Sequence, residues 1–300
     1  MTEETQPTFL LPLFNDTAKE ILEAEIFTSF PPYTFVENIA VDTEGNLLVT
    51  SVEDGAVYKI NKEGEKEEYA KVKGKLVGII HISAQSFLVN GWNEEGVPTI
   101  YLLLGKQTIV PILNLRNALF LNGMAFLEKN VFLICDSYKG CIWKYNLETN
   151  TAEVWLKHPL LERVDDTHTI PAANGIKIFN HAVFISNTDK HFLIKIPLNN
   201  SYTITPELFM DQLNLDDFAI DNDGTIYATT HIYNSVVRIT QGKEVTIIGE
   251  AKQGLAGSTA CAFGNREDNR NYIYVTTNGG MSLPLPGGVQ DGRVVKIKIK

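Results

Sequence analysis

The chain has 300 residues, 44% hydrophobic and 21% charged, a balance that allows a large buried core and is that of an ordinary soluble globular protein. Its 36 acidic against 26 basic residues leave a net charge of -10 with no long block of one sign. That excludes electrostatic capture of nucleic acid or an anionic membrane and points to a small-molecule or cationic partner. No apolar run approaches the roughly 20 residues that a membrane-spanning helix needs.

The N-terminus reads Met1-Thr2-Glu3-Glu4 and contains Pro7 and Pro12, without the basic start and long apolar stretch of a secretory signal, so a cytoplasmic protein is expected. Residues 1–20 read as a lead-in and residues 21–300 as one domain. The three cysteines, Cys135, Cys141 and Cys261, give no disulfide framework and no zinc-site spacing. Cys135 and Cys141 flank one hairpin turn and could pair, but all three are expected as free structural thiols.

From residue 37 onward the chain repeats itself. The first unit has strands at 37–42, 46–51 and 57–60, broken by the turn Thr43-Glu44-Gly45. A weaker second copy covers 77–82 and 86–90. The third covers 122–126, 131–136 and 142–145, with an outer strand at 152–156, and the fourth covers 174–178, 182–187 and 193–196. The fifth is the clearest: 216–221, the turn Asn222-Asp223-Gly224, then 225–230, 236–239 and 244–248. The sixth covers 258–263 and 272–278 and ends in a strand at 294–300. Short strands punctuated by Gly, Asn and Asp, at a period of roughly 40 to 50 residues, specify an all-β, six-bladed β-propeller. The last copy lacks an outer strand, and Ala24-Glu25-Ile26-Phe27 matches Ala152-Glu153-Val154-Trp155, the outer strand of the third copy. The N-terminal segment is therefore expected to close the ring, because an open ring leaves unpaired strand edges.

The innermost strand of each blade lines the central channel, and its first residues are Glu37, Val77, Asn122, Asn174, Asp216 and Ser258. Glu37, Asn122, Asn174 and Asp216 bring hard oxygen donors to one axis, a set suited to calcium, with magnesium or manganese as the other candidates. Such polar residues can also be plainly solvated or make local turns; their recurrence at equivalent places favours the metal. Gly123 and Gly175, directly after the asparagines, permit close approach of a backbone or a ligand.

The quartet Glu37-Asn38-Ile39, Asn122-Gly123-Met124, Asn174-Gly175-Ile176 and Asp216-Asp217-Phe218 resembles the calcium-site pattern of the senescence-marker-protein/gluconolactonase/paraoxonase-like propellers. The resemblance spans nearly the whole chain from about residue 20. It implies a divalent cation on Glu37, Asn174 and Asp216, with Asn122 as ligand or substrate contact, and hydrolysis of lactones or esters. The sequence departs from the pattern at Asp217, which is a further ligand or the mark of an altered site. Successive strand residues point to opposite faces, so Asp216 and Asp217 reach one ion only if the backbone turns. A cation with open positions would polarise a lactone carbonyl, and Asp216, or failing it Asp217, is the candidate general base. No Gly-x-Ser-x-Gly elbow supports a serine nucleophile.

Loops expected on the same face supply Trp92, Tyr138 and Tyr233 as pocket walls and His168 or His231 as a proton shuttle, each His weighed against an ordinary exposed loop residue. Two rival readings stand beside the hydrolase. The segment 135–145 also resembles the blades of NHL-type propellers, many of which bind proteins or peptides without catalysis. A metal-free, strictosidine-synthase-like enzyme is the other.

Overall fold

A computed structural model describes residues 17–198 and 204–300. Residues 1–16 of the expected lead-in lie outside the described residues. Six sheets follow one another around a central channel. The first five blades each take four consecutive strands from one stretch of chain, starting at Val36–Val41, Gly74–Ser83, Leu121–Glu128, Ala173–Phe179 and Phe218–Ile220. Blade 6 has Ser258–Phe263, Tyr272–Thr277 and Asp291–Lys298, and its outer strand is Ala24–Pro32 from the other end of the chain. Ala24 faces Ile297 and Ile26 faces Val295, so the N-terminal segment closes the ring as the matching tetrapeptides predict. Ala18–Lys19 adds a short parallel edge to blade 5.

The core lies between the blades. Each interface buries its own aliphatic cluster, for example Leu133, Ile142, Ile176, Ile185 and Ile194 between blades 3 and 4. That arrangement follows from period-2 strands buried on both faces, which read as nearly continuous Val, Ile and Leu runs.

A polar device ties the inner ends together. The Thr50 hydroxyl accepts the Asn38 N–H and donates to the Val77 carbonyl of the next blade. Asn90 does the same with its amide for Gly78 and Asn122. Ser186 serves Gly175 and Asp216, Thr229 serves Asp217 and Thr259, and Thr276 serves Ala260 and Glu37. Five of the six blades are stitched to the next in this way, and the Thr276 bond to Glu37 joins the last blade to the first. In blade 3 the equivalent place is held by Cys135. All three thiols are free and buried. Burial pushes the Cys141 and Cys261 thiols up to about 12 and raises Cys135 as well, so they are poor nucleophiles.

Candidate active site

The inner strands of blades 1, 2, 3, 4 and 6 break register at the same place, between Val36 and Ile39, Leu76 and Ile79, Leu121 and Met124, Ala173 and Ile176, and Ser258 and Cys261. A bulge re-aims a side chain, and here it lies at Glu37, Val77, Asn122 and Asn174. In blade 5 the strand begins only at Phe218, after Asp216 and Asp217. The shared hydrogen-bond device fixes Thr259, not Ser258, as the sixth ring position, a one-residue correction to the sequence reading. A Cβ on Gly123 would lie 2.5 Å from the Asn174 carbonyl oxygen, and one on Gly175 2.8 Å from the Asp217 Cα. Those glycines admit the neighbouring blade's backbone.

One mouth of the channel opens into a cavity of about 800 Å³ whose lining includes Glu37, Asp216, His231, Trp92, Phe120 and Tyr138. Its wall is an aromatic file. Trp92 and Phe120 have ring centroids 4.8 Å apart, Phe120 and Tyr138 5.0 Å, and the Arg163 guanidinium lies 4.8 Å from the Tyr138 ring. Tyr138 donates to the Thr169 carbonyl at 2.9 Å, which ties the wall to the loop at the rim.

The floor is a chain of hydrogen bonds. Asn174 Nδ2 donates to Asp216 Oδ1 at 2.5 Å and to Thr188 Oγ1 at 3.0 Å. Thr188 spends its own proton on the Leu215 carbonyl, so the Asn174 NH2 edge is the one that faces Asp216. Asn122 is held likewise, donating to Ser137 Oγ, which donates to the Ala173 carbonyl. Asp216 Oδ2 pairs with His231 Nδ1 at 2.8 Å. Glu37 is 8% exposed, and its Oε2 has no hydrogen-bond partner. Burial, then the charges of Asp216 and Asp217, raise its carboxyl well above the usual range and favour the protonated acid.

Of the residues read as metal ligands, Glu37 and Asp216 line the cavity, while Asn174 and Asn122 sit in the hydrogen-bonded layer of the channel wall. Both Asp216 oxygens already accept an N–H, and an NH2 edge is turned toward it. Among the described residues no three His, Cys, Asp or Glu side chains converge on a common point. As they stand, Asn122, Asn174 and Asp216 form a hydrogen-bonded polar floor beside the unpartnered Glu37 oxygen.

Asp217 does not join Asp216. Its carboxylate pairs with Lys177 Nζ at 2.5 Å and lines a second cavity, of about 490 Å³, formed by the far ends of the inner strands. The two neighbouring carboxylates line opposite cavities, so Asp217 is no base for the first mouth.

Trp92, Tyr138 and His231 line the cavity as expected; Tyr233 and His168 do not. His168 sits behind the rim, with Nδ1 2.8 Å from Asp189 Oδ1. Phe35, Phe120 and Ser282 were missed. Phe35 and Phe120 stand two places before Glu37 and Asn122, so the period-2 rule applied upstream of the ring would have found them.

The chain matches no family profile. It is 27% identical to a candidate hetero-Diels-Alderase of Phoma sp., covering 86% of this chain and 87% of that protein. With a second such candidate, from Sarocladium schorii, the identity is 21%, over 92% of this chain and 82% of that one. Among solved structures, the calcium-binding protein regucalcin of Agrobacterium tumefaciens superposes with a TM-score of 0.71 at 13% identity, over 94% of this chain and 95% of its own. The fold is that of the gluconolactonase- and regucalcin-like six-bladed propellers. A gluconolactonase of Xanthomonas campestris superposes with a TM-score of 0.66 at 10% identity, over 92% of this chain and 89% of that one.

Proposed function

We propose that the chain is a small-molecule enzyme that folds an apolar substrate against the Trp92, Phe120 and Tyr138 wall and closes a ring by a hetero-Diels-Alder type cycloaddition. The observation that carries this reading is the unpartnered Glu37 oxygen on the floor of an aromatic cavity. Such a reaction forms its bonds in one step and needs neither a nucleophile nor a redox partner. What a protein supplies is orientation of the two reacting segments and a hydrogen bond where charge develops on the heteroatom. A buried carboxyl that favours its protonated form is such a donor, and the aromatic file holds the unsaturated substrate by stacking. The two sequence relatives, alike over most of their length, support the same reaction class.

The test is a 1-oxadiene mixed with a vinyl ether, with the dihydropyran product resolved by chiral chromatography. The enzyme is expected to give one enantiomer in excess and faster than buffer. Glu37→Leu is expected to lose roughly a hundredfold in rate, and Glu37→Gln, which keeps a donor, to lose less. A racemic product at the buffer rate across a panel of oxadienes refutes the reading.

Hydrolysis of a lactone, aided by a calcium, magnesium or manganese ion at Glu37, Asn122, Asn174 and Asp216, is the second reading. The same free Glu37 oxygen favours it, and the hydrogen bonds already made by Asp216 and Asn174 count against it. A lactone and aryl-ester panel with and without chelator separates the two, because only the second loses activity with the metal.

A further inference from the structure

We infer that Ser282, His231 and Asp216 form a Ser-His-Asp relay that makes Ser282 an acyl-accepting nucleophile, a covalent chemistry beyond the ring closure proposed above. The Ser282 Oγ lies 3.1 Å from His231 Nε2, and the His231 Nδ1 lies 2.8 Å from Asp216 Oδ2. All three residues line the same cavity, and they come from three separate segments: the stretch just before Phe218–Ile220, the His231–Tyr233 turn, and the loop before Asp291–Lys298. A nucleophile, a base within hydrogen-bond reach and a group that orients the base are the three parts of an activated hydroxyl, recognised by geometry and not by sequence order.

The hydrogen bonds fix the tautomer. Asp216 accepts from Asn174 through Oδ1, leaving Oδ2 to accept from His231, so the proton of the imidazole is on Nδ1. Asn278 turns its Oδ1 to the Gly280 and Met281 N–H groups, so its NH2 faces His231 Nε2 at 2.9 Å. Nε2 therefore carries the lone pair, which accepts from Asn278 in the resting state and lies within reach of the Ser282 hydroxyl. Two further features hold the ring in place. The His231 φ of +35° lies in the left-handed region, a strained backbone for a non-glycine residue and one found at functional sites. The Phe35 ring packs edge-on at 5.8 Å. Ser282 itself is exposed to the cavity.

In the acylation step Ser282 Oγ attacks an ester carbonyl carbon and its proton passes to His231 Nε2. The tetrahedral centre collapses with cleavage of the carbon–alkoxy bond, and that proton leaves with the alcohol. Water then attacks the acyl-serine, gives its proton to the same nitrogen, and releases the acid as Ser282 recovers its proton. Asp216 stays a carboxylate and steadies the imidazolium. The Asn278 NH2 opposes a proton on Nε2 and must yield as the ring is protonated, which restrains the resting relay.

The experiment treats the full-length protein with a biotin-tagged fluorophosphonate. The Oγ–P bond forms as P–F breaks, fluoride leaves, and the serine proton goes to His231. One phosphonyl group per chain is expected, mapped to Ser282 by peptide mass and unchanged by chelator. No label is expected in Ser282→Ala, and labelling roughly a hundredfold slower in His231→Gln. An unlabelled wild-type protein, a label on another serine, or a wild-type rate in His231→Gln overturns the relay. If the unlabelled wild type still closes rings enantioselectively, the relay alone has failed and the ring-closure reading stands.

Discussion

The two mouths of the channel differ by a single step along the chain. Asp216 turns to the cavity shared with Glu37 and His231, and Asp217, the next residue, turns to the opposite cavity and is neutralised by Lys177. Burial, opposed by Lys177, raises the Asp217 carboxyl. The second mouth has spent its charge on an internal partner and is otherwise lined mainly by apolar groups such as Ile79, Met124 and Phe263. The first mouth has kept an oxygen without a partner and two side chains in proton contact. A buried charge with a fixed counter-charge is structural, whereas convergent polar groups with an unmet demand mark a site.

Both mouths exist only while the ring is closed, so the largest effect expected is from deleting residues 1–32. Without the outer strand of blade 6 the edge of Asp291–Lys298 is bare, and cooperative thermal unfolding followed by circular dichroism should be lost. A sharp two-state melt in that truncation breaks the account of closure.

Lys177→Met comes next. It strands a buried carboxylate and should destabilise the fold by about 2 kcal/mol, below the range for a fully buried pair because Lys177 is 29% exposed. Turnover per folded molecule should stay at the wild-type level. A loss of turnover without a loss of stability would reverse the roles assigned to the two mouths.

Glu37→Gln sharpens the contrast from the other side. A carboxyl whose folded pKa is raised binds its proton more tightly in the native state. Its contribution to stability is full below the unfolded value and is lost as pH rises through the folded value. Glutamine removes that decline, so the variant should be more stable than wild type at pH 8 and close to it at pH 4. Denaturant midpoints at the two pH values check this, and a wild type that gains on the variant as pH rises contradicts it.

The smallest effect is expected at the rim. The hydrogen bond and charge of Asp189 raise the half-buried His168 above the usual histidine value. The added hold on residues 164–170 is complete below the ordinary histidine value and lost as pH rises through the raised one. Amide exchange there, corrected for intrinsic rates, should quicken between pH 5.5 and 8.5 in wild type and not in His168→Gln, with the global melt unmoved.

The fold was legible because its signals are local and repeated: strand runs, Gly and Asp turns, and an N-terminal tetrapeptide that repeats the outer strand of blade 3. The ring was legible for the same reason, apart from the sixth place, where Ser258-Thr259 offers two adjacent hydroxyls and only the Thr229 bond selects the second. Side-chain direction was not legible. Nothing in Asp216-Asp217 says which carboxylate meets a lysine, because Lys177 comes from a different blade. Ser282 carries no local pattern, and its proximity to His231 arises only when the loops of blades 5 and 6 come together at the mouth.

The most direct measurement compares Asp216→Asn with Asp217→Asn, neighbours that face opposite mouths. Each folded variant is assayed for the enantiomeric excess and rate of dihydropyran formation. The account predicts that Asp216→Asn loses most of the rate and the excess, because it weakens the hold on His231 and the floor around Glu37, while Asp217→Asn keeps both at lower stability. Retained activity in Asp216→Asn with loss in Asp217→Asn would place the reaction at the other mouth and contradict it.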